Sequence, residues 1–165
     1  MYQKFGARWG NNLKMVTIFV LAICLGIPIT SFNRLYNQGA DTWSIFLLFI
    51  PVLAALGALF FAIRSYVITD SQIIINHIGW KRTFDIDQLT KATYEPHVTA
   101  GSVRVWGNGG LFSFSGYFRN STLRSYRAYM TNAADAVVLR FGEDTVVISP
   151  DDPEKFVETL GMPVL

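Results

Sequence analysis

Residues 43–63 read WSIFLLFIPVLAALGALFFAI and carry no charged side chain. A helix needs about 20 apolar residues to cross a hydrocarbon core of roughly 30 Å. Upstream, residues 15–32 (MVTIFVLAICLGIPITSF) form a second uncharged run, at the short end of the same range. Two such runs could be buried core helices, but a small soluble domain rarely spends so much apolar sequence on its core. A cleaved leader is the other alternative, because Lys4, Arg8 and Lys14 precede the first run. However, Thr30, Ser31, Phe32 and Asn33 lead into Arg34 with no small-x-small cleavage site. The reading is an uncleaved two-helix membrane hairpin.

The composition agrees. The chain has 165 residues, 51% hydrophobic and only 16% charged, against about 25% charged in average soluble domains. Residues 1–64 hold five basic side chains and one acidic; residues 65–165 hold nine and eleven. Three basic residues precede the first run, while the 33–42 connection carries only Arg34. Positive-inside counting puts both termini in the cytoplasm and that connection outside. The expected location is the bacterial inner (plasma) membrane, multi-pass. A formal charge of +2 gives no support to a nucleic-acid partner. One cysteine, Cys24, excludes an internal disulfide framework.

Each helix carries a ladder of small residues at a spacing of four: Ala22, Gly26, Thr30 and Ala54, Ala58, Ala62. Such ladders let two backbones approach closely, either within the hairpin or between chains. Pro28 and Pro51 free the carbonyls of Cys24 and Leu47, which neighbours must satisfy. Neither span holds an ionisable group except that thiol, which argues against an ion or proton path.

After Arg64 the pattern turns to short β-branched and aromatic runs: 65–69, 72–78, 81–86, 92–95, 124–130, 136–141 and 145–149. The first three read as an antiparallel meander with short turns, and the other four as further short strands. Asp152-Pro153 then starts a helix, with Asp as cap and Pro at the first helical position. Phe156, Val157 and Leu160 make its apolar stripe, and Gly161 and Pro163 end it. The expected fold class is a membrane α-hairpin (1–64) followed by a mainly β, α+β domain (65–165), a bent antiparallel barrel capped by the C-terminal helix.

Three segments carry a resemblance: Tyr66-Val67-Ile68-Thr69-Asp70; Gly107-Asn108-Gly109-Gly110-Leu111-Phe112; and the closing Ile148-Ser149-Pro150-Asp151-Asp152-Pro153-Glu154-Lys155-Phe156. With membrane helices in front, they resemble the membrane-anchored bacterial pleckstrin-homology (PH) domain proteins over roughly 66–161. The resemblance implies a PH-like fold and no catalysis. The paired Lys81 and Arg82, followed by Asp85 and Asp87, do not match the basic loop signature of phosphoinositide binders.

Residues 98–123 read as a long irregular stretch, with Trp106, Phe112, Phe114, Tyr117 and Phe118 set among glycines. It is open whether this stretch is a lid, a strand pair or a membrane-inserting loop. The 107–110 glycines lack a phosphate-loop ending and read as turns through positive φ. Arg119, Arg124 and Arg127 cluster nearby, facing either anionic headgroups or solvent. Trp106, Phe112, Tyr117, Arg119, Arg124 and Arg127 are therefore the candidate binding residues. His77 and His97 form no ligand or triad pattern, so neither metal nor cofactor is expected. Asn120-Ser121-Thr122 matches a glycosylation sequon, without consequence on a cytoplasmic face. The expected activity is that of a non-catalytic, tethered binding module for a protein partner or lipid headgroup. The alternatives are a self-assembling scaffold and, more remotely, an accessory subunit of a membrane enzyme or transporter.

Overall fold

The computed structural model describes residues 2–39 and 41–161. A short strand, β1 (Gln3–Gly6), precedes two long helices, α1 (Asn11–Gln38) and α2 (Thr42–Phe60). At 1.5 Å per residue they are about 42 and 28 Å long. Both are long and apolar enough to cross a membrane, and only 11% and 6% of their most apolar windows are buried within the chain. Asp41 caps α2 by accepting a hydrogen bond from the Ser44 amide at 3.2 Å. Helix α1 runs to Gln38 rather than ending near residue 32, so the connection is much shorter than the expected 33–42. Helix α2 stops at Phe60, not Ile63: the Gly79 and Ile78 amides donate to the carbonyls of Phe60 and Ala62 and turn the chain into a strand.

The remainder forms two sheets. β2 (Ile63–Ile68), β3 (Gln72–His77) and β4 (Lys81–Asp85) join β1 in a four-stranded antiparallel sheet of order β1-β2-β3-β4. After a 3-10 turn at Ile86–Gln88 come β5 (Lys91–Tyr94), β6 (Val103–Gly109), β7 (Phe114–Asn120), β8 (Arg124–Met130), β9 (Val137–Phe141) and β10 (Asp144–Ile148). These make a six-stranded sheet of order β5-β9-β10-β8-β7-β6. One of its pairings, β8 with β10, is parallel, where the expected barrel has every neighbour antiparallel. The chain passes β10's place before the β9–β10 hairpin folds back into it. Helix α3 (Pro153–Thr159) closes the domain, capped by Asp152, which accepts from the Lys155 amide at 3.2 Å. Pro163, expected to end this helix, lies outside the described residues.

The main core lies between the sheets. Ile73 and Ile75 of the first sheet, Val137, Leu139, Val146 and Ile148 of the second, and Phe156 and Val157 of α3 are buried together. Phe5 from β1 meets the Phe156 ring edge-on at 4.9 Å between centroids. A second cluster, including Phe118, Tyr126, Ala128 and Met130, covers the other face of the six-stranded sheet. The observed architecture is thus two apolar helices followed by a PH-like, mostly β domain of open sheets with a C-terminal helix.

The opening and closing segments of the domain meet at one buried point. The fully buried Tyr66 hydroxyl donates to the Tyr129 carbonyl at 2.9 Å and lies 3.4 Å from Ser149 Oγ. Ser149 Oγ in turn accepts the amides of Thr131 and Asn132 at 2.8 and 3.1 Å. Burial pushes the Tyr66 phenol up to about 12.

Candidate functional site

The six-stranded sheet is wider than the sheet packed on it. Its pleat puts alternate side chains on opposite faces. On β7 and β8, Ser115, Tyr117 and Arg119 stand opposite Tyr129, Arg127 and Ser125. Trp106 of β6 stands opposite Tyr117. Trp106, Tyr117, Arg119 and Arg127 therefore share the face that elsewhere forms the main core. Here no strand of the first sheet covers it: Trp106 is 77% and Tyr117 49% exposed. Sequence spacing hides this grouping, because a bulge between Arg104 and Trp106 shifts the register of β6 by one residue.

Two further groups border this face. Arg82, from β4, lies 5.6 Å from the Phe84 ring centre. Arg82, Phe84, Arg127, Phe141 and Asp144 line a recess of about 200 Å³ at the mouth between the sheets. Arg127 is ion-paired to Asp144 there. Burial pushes the Tyr129 phenol up, and the charges of Arg82 and Arg127 act in the opposite direction. Nothing in the sequence joins Arg82 to this group; the fold brings β4 and β8 to one recess.

The irregular stretch resolves into the β6–β7 hairpin. Gly107 and Gly116 face each other across it, at φ 110° and 140°. A Cβ on either would collide with the opposite backbone, so the two glycines permit a close approach that no other residue allows. The hairpin's turn is a junction with the helices. Thr17 Oγ1 of α1 donates to the Gly110 carbonyl and accepts from the Phe112 amide, each at 3.2 Å. Phe112 packs at 6.2 Å from Trp9. Phe112 is thus set in that junction, apart from Trp106. Arg124 sits at φ 58° in the β7–β8 turn, at the far end of the sheet.

A second junction holds the end of α2. The Phe61 carbonyl accepts from Ser113 Oγ at 3.0 Å and from His77 Nδ1 at 2.8 Å. The Trp80 ring stacks on His77 at 4.0 Å and meets Phe61 edge-on. Burial pushes the His77 imidazole below its ordinary value, partly opposed by its bond to Phe61. His97 lies away from this cluster, in the turn after β5. Among the described residues, no three His, Cys, Asp or Glu side chains come together as metal ligands would.

The small-residue ladders divide. Ala62 is buried and Ala58 partly covered, whereas Ala54, Ala22 and Thr30 are exposed, and open space lies beside Gly26. The side of α2 facing inward instead runs through Ser44, Leu48, Pro51, Ala55 and Ala58.

A bacterial PH domain family model matches residues 64–162. The chain belongs to the bacterial PH domain family. No curated protein and no solved structure matches it. The matched segment begins one residue into β2 and contains every later strand of both sheets. PH domains are in general binding modules for lipids or proteins.

Proposed function

We propose that the chain is a membrane-tethered, non-catalytic binding module of the bacterial inner membrane. On this reading α1 and α2 span the bilayer, both termini are cytoplasmic, and the PH domain lies against the cytoplasmic leaflet. The observation that carries it is the pair of long apolar helices whose side chains find almost no cover in the chain, followed directly by a PH domain. The pairing of β1 with β2 adds support, since it needs both ends of the hairpin on one side of the membrane. The part of the exposed face away from the helices, with Tyr117, Arg119 and Arg127 beside Arg82, would recognise a protein partner. The helices already supply attachment, so this part is not needed for targeting.

The test is made in cells. Alkaline carbonate should leave the chain in the membrane. Cysteines introduced at Asn37 and Ser102 should be labelled from the outside and the inside respectively. A photo-crosslinking residue at 117 or 119 should give one discrete protein adduct, absent when the same probe stands at 143 in the β9–β10 turn. Equal adducts at all three positions would refute the partner site.

A second reading, self-assembly through the helices, is favoured by the uncovered Ala22–Gly26–Thr30 side of α1. Ala22→Leu with Gly26→Leu should then reduce the particle size in gentle detergent.

A further inference from the structure

Strand β4 is the last strand of the four-stranded sheet, and its pairing with β3 fixes where its backbone groups point. The His77 amide donates to the Trp80 carbonyl at 2.9 Å, and the Ile86 amide to the Ser71 carbonyl at 2.8 Å. Bonded and non-bonded pairs alternate along an antiparallel ladder. Between those two bonds, Ile75 with Arg82 and Ile73 with Phe84 are therefore the bonded pairs. The amides and carbonyls of Lys81, Thr83 and Asp85 point away from β3, and no strand of the chain pairs with that side. The pleat settles the side chains. Arg82 and Phe84 stand opposite the fully buried Ile75 and Ile73, so both are directed towards the six-stranded sheet.

This free edge borders the uncovered face. Arg82 shares a recess with Arg127 of β8, and Arg127 stands opposite Tyr117 of β7. An extended segment laid along β4 would continue the first sheet over Tyr117 and Arg119, where its cover now stops. The surroundings are cationic. Strands β6, β7 and β8 lie within residues 96–134, which contain neither Asp nor Glu. Of Arg82, Arg119 and Arg127, only Arg127 is ion-paired among the described residues, to Asp144. Asp85 lies on the other face of β4, where its carboxylate accepts from Gln72 Nε2 at 3.0 Å.

We propose that β4 takes an extended acidic segment of a protein partner as an added strand. The segment pairs with the outward amides and carbonyls of Lys81, Thr83 and Asp85 and turns its carboxylates towards Arg82 and Arg119. This rests on the reading of the face as a partner site and states what the partner brings. The charge selects an acidic segment. The unpaired backbone groups, repeated at every second residue, select a strand. A second copy of the chain, paired edge to edge on β4, would bring its own six-stranded sheet into the layer that β7 and β6 already occupy.

The experiment uses the full chain in nanodiscs of phosphatidylcholine and a fluorescein-labelled peptide of alternating glutamate and threonine, read by anisotropy. One peptide should bind per chain, and the lysine–threonine counterpart should not. Only one edge of the peptide meets β4. N-methylation of all its glutamate amides and, separately, of all its threonine amides should therefore differ, one abolishing binding and the other leaving it. Arg82→Gln and, separately, Arg119→Gln should each weaken binding about tenfold, as for the loss of one charge-assisted hydrogen bond. Thr83→Pro removes an outward amide and no ladder bond, and should abolish binding. Lys91→Gln, on a different edge strand, should bind as the wild type does. Equal effects of the two methylation patterns, unchanged binding in the arginine variants, or displacement of the peptide by phosphatidylglycerol vesicles would overturn the proposal. The photo-crosslink from position 117 in cells separates the two failures. No protein adduct there refutes the partner site itself, whereas an adduct that survives Thr83→Pro refutes only the added strand. An adduct of twice the chain's mass would mean a second copy and would overturn the proposal too.

Discussion

One face of the six-stranded sheet passes from closed to open within four strands. On β9 and β10, Val137, Leu139, Val146 and Ile148 are fully buried beneath the first sheet and α3. On β7 and β6 the same face presents Tyr117, Arg119 and Trp106 to the surroundings. Backbone pairing is continuous across both halves; only the cover differs. One half therefore holds the domain together, and the other is free to carry side chains chosen for contact with something else.

Leu139→Ala should break the closed half most severely, at a cost of about 2–5 kcal/mol for an emptied core position, read as a lowered denaturation midpoint. Next comes Ser149→Ala, which leaves the buried Thr131 amide unpaired and weakens the hold on Tyr66; one such orphaned group costs about 1–3 kcal/mol. Gly116→Ala tests the border between the halves. Its φ of 140° and the nearby Trp106 carbonyl put the strain at roughly 1–3 kcal/mol. Hydrogen exchange should then rise in β6 and leave β9 and β10 protected.

The pH dependence is smaller and comes from His77. Its folded value lies below the ordinary 6.5, because burial favours the neutral ring. Stability is therefore full above about pH 6.5 and is lost as pH falls through the folded value. A denaturation series should show this slope in the wild type and not in His77→Gln. Smallest of all, Tyr117→Ala with Arg119→Ala, both exposed, should change stability by no more than about 0.5 kcal/mol while removing the partner adduct. A large loss of stability in that variant would mean that the open half is structural after all.

Much of this was legible in the residues. Two uncharged runs announce α1 and α2, and Asp152-Pro153 announces α3, because both are local signals. The β6–β7 hairpin was not, since VRVWGNG lies on a sheet edge and shows no alternation of buried and exposed positions. Only the facing glycines, Gly107 and Gly116, explain why it pairs so closely, and their partnership is a fact of register. β1 escaped notice for a similar reason: in QKFG a single residue, Phe5, is buried. Of the candidate binding residues, Trp106, Tyr117, Arg119 and Arg127 fall on one face. Phe112 was grouped with them because aromatic residues among glycines look alike in sequence, whether they face outward or pack against a helix.

The four residues of β1 also bear on how the chain is put together. They are made before the helices, yet their partner strand follows only after both. The Gly6 amide donates to Asp151 and the Asp151 amide to the Gly6 carbonyl, each at 3.0 Å, so this leading segment is tied to the far end of the domain as well. If α1 and α2 span the membrane, a chain threaded with its start on the wrong side would lack an edge strand and that link. A completed domain would then be a record that both crossings had been made in the correct sense.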